Sequence, residues 1–216
     1  MGDIKIYDID QLVSRCKLKY FIETGTLVGD AIEYMRKFEF DRLISFEIIK
    51  ELVDKATKRF ENDKRIQIIH GDSSKALHKI LHEVSGNTLF WLDAHFPGAD
   101  IGINKYTDDI DSDTNLPLER EIKSISTRIG SYNDVIIIDD LWIYEDGDWE
   151  WGTFDSHMSK HGHSMRRSDI CKGDSTFIRE LFQDSHDIKT INKFQGSLVL
   201  IPKCYTKTVD KALEVN

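Results

Sequence analysis

Apolar residues along this chain fall into short continuous runs separated by amphipathic stretches. Runs at 20–24, 43–48, 65–70, 89–93 and 135–138 predict strands. The last two contain Leu89-Phe90-Trp91-Leu92 and Val135-Ile136-Ile137-Ile138, apolar at every position. Uninterrupted runs of this kind suit central strands of a parallel sheet buried on both faces. Between and around the strands, 8–17, 29–38, 50–62, 74–84, 118–129 and 176–183 carry helical patterning. Strands alternating with helices predict parallel βαβ units. The rhythm changes near the end, where 187–194 and 198–201 are joined through Gln195-Gly196, a hairpin-like turn. The fold expected is therefore α/β: a Rossmann-like, seven-stranded, mostly parallel sheet with helices on both faces and a C-terminal antiparallel hairpin.

Two segments fit neither pattern. Residues 97–115 are polar and carry Asp100, Asp108, Asp109, Asp111 and Asp113. Residues 142–174 carry Trp142, Trp149 and Trp151 with His157, His161 and His163. Both follow strand ends, so both belong on the binding side of the sheet, as lids or binding loops. With 216 residues, no internal repeat and no linker, the chain reads as one domain, 1–216, carrying these two insertions on its substrate side.

Charge narrows the partners. A net charge of -9 disfavours general affinity for nucleic acid or anionic membrane, both of which reward Lys/Arg clusters. No apolar stretch approaches 18 residues, and the first residues lack a signal-type hydrophobic region. Cys16, Cys171 and Cys204 are odd in number and far apart, as expected of free thiols in a reducing compartment. A cytoplasmic protein is the expectation, with a homodimer as the default assembly.

Chemistry concentrates at the strand ends, where ligands of such sheets bind. The fourth strand ends in Asp93-Ala94-His95 and the fifth in Asp139-Asp140. Three carboxylates side by side repel unless something positive lies between them, so Asp93, Asp139 and Asp140 point to a divalent metal. The first strand runs through Glu23-Thr24-Gly25-Thr26-Leu27-Val28-Gly29 into a helix, a glycine turn that a ligand can approach closely. It lacks the second glycine of a dinucleotide fingerprint. The second strand ends at Glu47, placed to accept hydrogen bonds from ribose hydroxyls, and the third at Gly71-Asp72-Ser73, where Asp72 could meet an adenine amino group.

Taken in register, Glu23-x-Gly25-x-x-x-Gly29, Glu47 and Gly71-Asp72-Ser73 resemble the class I S-adenosylmethionine-dependent methyltransferases, across most of residues 18–203. The resemblance implies a cofactor site formed by Glu23, Thr24, Gly25, Thr26, Gly29, Glu47, Asp72, Ser73 and Asp93. Leu27 departs from it, standing where the family often has a middle glycine. The acidic pairs resemble the metal-dependent O-methyltransferase branch, which includes catechol-type and macrocin-like sugar enzymes. That likeness implies Mg²⁺ on Asp93, Asp139 and Asp140, and a hydroxyl of a small molecule, a sugar or sugar nucleotide, as acceptor. His95 occupies the place of the acidic base in the sugar-modifying members, which makes it the candidate catalytic base.

Rival readings stay open at this level. They are a metal-independent N-methyltransferase, a nicotinamide-dependent oxidoreductase on the same sheet, and a nucleotide-sensing binding module. The Asp109-x-Asp111-x-Asp113 run fails as a calcium loop because Thr114 and Arg120 stand where a glycine and a bidentate acid are required. The three histidines of the second insertion lack a cysteine at zinc-ligand spacing.

Overall fold

A computed structural model describes residues 3–106, 112–171, 174–209 and 212, with the backbone alone at Asp100, Ser112 and Asp113. Seven strands form one sheet: β1 (Tyr20–Thr24), β2 (Arg42–Glu47), β3 (Ile66–His70), β4 (Thr88–Leu92), β5 (Val135–Ile138), β6 (His186–Ile191) and β7 (Ser197–Pro202). Their order is β3-β2-β1-β4-β5-β7-β6. The first five pair parallel with one another, and β7 runs antiparallel to both β5 and β6. The predicted sheet and its terminal hairpin are present.

Register sets the site. Thr24 lies beside Phe46 and Leu92, and Leu92 beside Ile138, so β1, β2, β4 and β5 end level. The residues that follow, among them Gly25, Glu47, Asp93 and Asp139, therefore meet along one edge. Strand order reverses between β1 and β4, which opens a crevice there.

Side chains alternate across the sheet and feed two cores. Ile22, Phe90, Leu92, Ile136 and Ile138 face one core; Phe21, Leu89, Trp91, Val135 and Ile137 face the other. The second core is closed by α1 (Ile9–Cys16), α2 (Asp30–Met35) and α3 (Lys50–Arg59). The first is closed by α4 (Ser73–Leu81) and, beyond the short α5 (Ser112–Asn115), by α6 (Leu118–Ser126). Apolar patterning overran several helix ends: Phe60 and Val84 lie past α3 and α4 yet remain buried. Connecting turns keep the apolar spacing because their side chains still pack on the sheet.

The insertions correct the expectation of irregular chain. Residues 142–174 contain a 3-10 turn at Leu141–Ile143 and two helices, α7 (Phe154–Lys160) and α8 (Arg167–Ile170). Trp142, Trp149, Phe154 and Met158 are buried in the first core, beside α9 (Thr176–Phe182). Glycine makes that packing possible, since a Cβ at Gly196 would sit 2.3 Å from the Trp149 ring. Trp151, by contrast, is 45% exposed. Residues 97–115 begin with a 3-10 turn at Ala99–Ile101; Asp108, Asp109 and Asp111 lie outside the described residues. A last helix, α10 (Thr206–Val209), packs on α1. Among the described residues no helix is long and apolar enough to cross a membrane.

Candidate active site

The β1–α2 turn is built for close approach. Gly25 takes φ +87°, and a Cβ there would stand 2.9 Å from the Asp93 carbonyl oxygen. Its amide and that of Thr26 both donate to the Phe46 carbonyl at 3.0 Å, tying the turn to β2. Gly29, at φ +83°, packs against Phe60. Leu27 adopts φ +48°, a left-handed conformation that disfavours non-glycine residues. Its amide donates to Glu47 Oε2 at 2.8 Å, and this bond holds the turn in shape.

Each carboxylate on this side has donors. Glu47 also accepts from the Ile49 amide at 2.9 Å; burial raises its pKa and the backbone amides oppose the rise. Both oxygens keep lone pairs for ligand hydroxyls. Glu23 is buried and accepts from Ser45 Oγ at 2.5 Å, while Ser45 and Thr26 share a 2.6 Å hydroxyl contact. Burial pushes Glu23 up to about 8 against the pull of Ser45. Asp72 caps α4, accepting from the Ser74 amide at 2.9 Å, from Ser74 Oγ at 2.6 Å and from Thr114 Oγ1 at 2.8 Å. Burial lifts its pKa, but the bonds from Ser74, Lys75 and Thr114 outweigh it and hold Asp72 below the usual range. Ser73 Oγ turns away to donate to Glu121 Oε1 at 2.5 Å. Glu121, on α6, escaped the sequence reading. Its only signal is an acid on the apolar stripe of Leu118, Ile122 and Ile125, and burial lifts it to about 7.

At β4 and β5 the parallel pairing runs one residue further: the Asp93 amide donates to the Thr24 carbonyl at 3.2 Å and the Asp139 amide to Leu92 at 3.0 Å. Asp140 then takes φ +50° and turns the chain. Asp93, His95 and Asp140 converge, each offering a ligand atom within 4.8 Å of the others. His95 Nε2 lies 2.5 Å from Asp140 Oδ2 and 3.7 Å from Asp93 Oδ1. Among the described residues this is the one group of three or more potential metal ligands; Asp139 is outside it, as are His157, His161 and His163. Burial, followed by the charges of Asp139 and Asp140, drives Asp93 well above its ordinary pKa; burial and Asp140 push Asp139 to about 8. Asp139 Oδ2 and Asp140 Oδ1 are buried without a hydrogen-bond partner among the described residues. Buried, partnerless carboxylate oxygens at a cluster of acids fit a cation.

A cavity of about 330 Å³ joins the two ends. Of the expected site residues, Glu23, Gly25, Thr26, Glu47, Asp72, Ser73, Asp93, His95 and Asp140 line it; Thr24, Gly29 and Asp139 do not. The sequence reading missed the N-terminal turn, which contributes Asp3, Ile4 and Lys5 to the wall.

No protein-family model matches the chain, and no curated protein matches it by sequence. Solved structures do. A candidate caffeoyl-CoA O-methyltransferase from Staphylococcus aureus superposes with a TM-score of 0.60 at 13% identity, over 94% of this chain and 84% of that one. An O-methyltransferase from Bacillus cereus, in complex with S-adenosylhomocysteine, gives 0.54 at 14% identity, over 94% and 82%. A methyltransferase from Podospora anserina, also bound to S-adenosylhomocysteine, gives 0.54 at 13%, over 94% and 80%. The chain thus shares its fold with these solved methyltransferases.

Proposed function

We propose that the protein is an S-adenosylmethionine-dependent O-methyltransferase acting on a hydroxyl of a small molecule, a sugar or sugar nucleotide. The observation that carries this reading is the junction of two groups in one cavity. The Gly25 turn and Glu47 line one part of it, and Asp93, His95 and Asp140 form an acidic part at the ends of β4 and β5. Solved O-methyltransferases of the same fold add support.

The transfer is an in-line displacement. The acceptor oxygen forms a bond to the methyl carbon as the carbon–sulfur bond breaks, and the electron pair stays on sulfur as a neutral thioether. The protein must align the two partners and remove the hydroxyl proton. Glu47 orients the ribose, and the Gly25 turn lets the cofactor lie against the backbone. His95, on the cavity wall, receives the proton, and the Asp140 carboxylate 2.5 Å from its Nε2 stabilises the imidazolium that results. Asp93, Asp139 and Asp140 would hold Mg²⁺, which when bound supplies positive charge for the developing alkoxide and orients neighbouring hydroxyls.

The convergence of His95 with Asp93 and Asp140 favours a second reading, in which His95 is itself a ligand. An imidazole ligand suits Mn²⁺, Fe²⁺ or Zn²⁺ better than Mg²⁺. One experiment separates them: calorimetric titration of Mg²⁺ and Mn²⁺ into wild type and His95→Ala, beside transfer of radiolabelled methyl groups to a panel of sugar nucleotides. The base reading expects unchanged metal affinity and turnover lowered by roughly 10²–10⁴-fold; the ligand reading expects both to fall. Full turnover in EDTA would defeat metal assistance. Failure to bind S-adenosylhomocysteine would defeat the function as a whole.

A further inference from the structure

The cavity wall is strongly one-sided in charge. Seven acidic side chains line it, Asp3, Glu23, Asp30, Glu47, Asp72, Asp93 and Asp140, and burial keeps Glu23 and Asp93 the most readily protonated of them. Among the described residues, Lys5 is the one lysine or arginine on that wall. It sits on a 3-10 turn (Ile4–Ile6) that is firmly placed: Ile4 is buried in the second core, and the buried Tyr7 hydroxyl bonds to Ser197 at the start of β7. The turn shares the cavity wall with Asp30 and Ala31 of α2, and Ile4 belongs to the same core as Ile32 and Met35 of that helix. Lys5 is held only loosely, by Asp3 at 3.6 Å with both side chains about half exposed. An exposed pair of that kind is weak and easily exchanged for a ligand.

S-adenosylmethionine carries two positive groups and one carboxylate. The sulfonium and ammonium suit an acidic wall; the carboxylate is repelled by it except where a cation intervenes. The adenosine end belongs with Glu47 and Asp72, and the reacting methyl must face His95 and Asp140. The amino-acid end is left the third direction, toward the β1–α2 turn and the N-terminal turn packed beside α2. Resting on the cofactor assignment above, we infer that Lys5 is a specificity-determining residue that binds the cofactor's amino-acid carboxylate.

The test uses the full chain and three probes: S-adenosylhomocysteine; 5′-methylthioadenosine, which lacks the amino-acid end; and uridine diphosphate, which stands for an acceptor phosphate. Lys5→Gln should weaken S-adenosylhomocysteine about tenfold, as expected for loss of one charge-assisted bond, and leave methylthioadenosine unchanged. Lys5→Arg should keep most of the affinity, and the salt dependence of S-adenosylhomocysteine binding should flatten in Lys5→Gln. Equal weakening of both adenosine probes, or of neither, overturns the inference. So does a Lys5→Gln variant that loses affinity for uridine diphosphate alone, which would place an acceptor phosphate at Lys5. Wild-type protein that binds methylthioadenosine but shows no preference for S-adenosylhomocysteine sinks the Lys5 role while sparing the cofactor reading; binding of neither of these two sinks both.

Discussion

The two halves of the cavity treat their carboxylates in opposite ways. On the β1–β3 side every acid meets donors from its own surroundings: Glu47 from Leu27 and Ile49, Asp72 from Ser74 and Thr114, Glu23 from Ser45. On the β4–β5 side, Asp139 and Asp140 each keep a buried oxygen without a partner among the described residues, and Asp93 carries the charges of both against it. The first half is complete as folded. The second would be electrostatically strained with all its acids ionised, and burial with mutual repulsion raises Asp93 and Asp139 so that they hold protons until a cation arrives. Sites under such strain trade stability for function.

The largest expected effect breaks that contrast outright. Asp140→Asn removes a charge that helps hold Asp93 and Asp139 protonated, so the stability of the metal-free protein should fall less steeply than that of wild type as pH rises toward about 8, read by thermal melts in EDTA. Methyl transfer should fall by about 10²-fold or more in the same variant. A variant with the wild-type pH slope, or a fully active one, would mean the acidic half is not under strain for a function.

On the other side the prediction is reversed. Glu47→Ala strips the Leu27 and Ile49 amides of their acceptor and should weaken S-adenosylhomocysteine by about 10²-fold while leaving metal affinity unchanged, since bonds to a charged group contribute roughly 1.5–3 kcal/mol each. Coupled loss of metal binding would show that the halves are not separable. Gly25→Ala strikes the seam between them: φ +87° and a Cβ 2.9 Å from the Asp93 carbonyl should cost about 1–3 kcal/mol in stability and disturb both ligands, checked by denaturant titration and calorimetry.

A smaller effect comes from pH. Glu23 and Glu121 have folded pKa values of about 8 and about 7, against an ordinary 4.5. In the folded protein they hold protons that the unfolded chain has already released, so stability falls as pH rises from about 4.5 to about 8. The ligand-free Tm should therefore drop between pH 5.5 and 8, and Glu121→Gln should flatten part of that slope. The smallest change is Leu27→Gly. Relief of a left-handed leucine, worth about 1–2 kcal/mol, is partly cancelled by glycine's added chain entropy, so Tm should rise by no more than about 2–4 °C.

Much of this was legible in advance. Continuous apolar runs announced β4 and β5, and the acids behind them announced the edge where the cavity lies, because a fully buried strand leaves polar side chains nowhere to go but its end. Glu121 and Lys5 were not legible: one sits on an apolar helix stripe opposite Ser73, the other on a terminal turn far from any motif. The 142–174 segment was misjudged as irregular because Trp142, Trp149 and Phe154 lack helix or strand spacing and are ordered instead by the core they enter.

What the sequence by itself determined was the order of strands and helices, the terminal hairpin and which acids stand at strand ends, all set by local period and burial. Tertiary structure alone decided that His95 converges with Asp93 and Asp140, that Asp72 caps α4, and that an N-terminal lysine lines the cavity. Those outcomes depend on strand register and on the turn at Asp140, where one left-handed residue re-aims the side chain, and no local pattern encodes a direction in space.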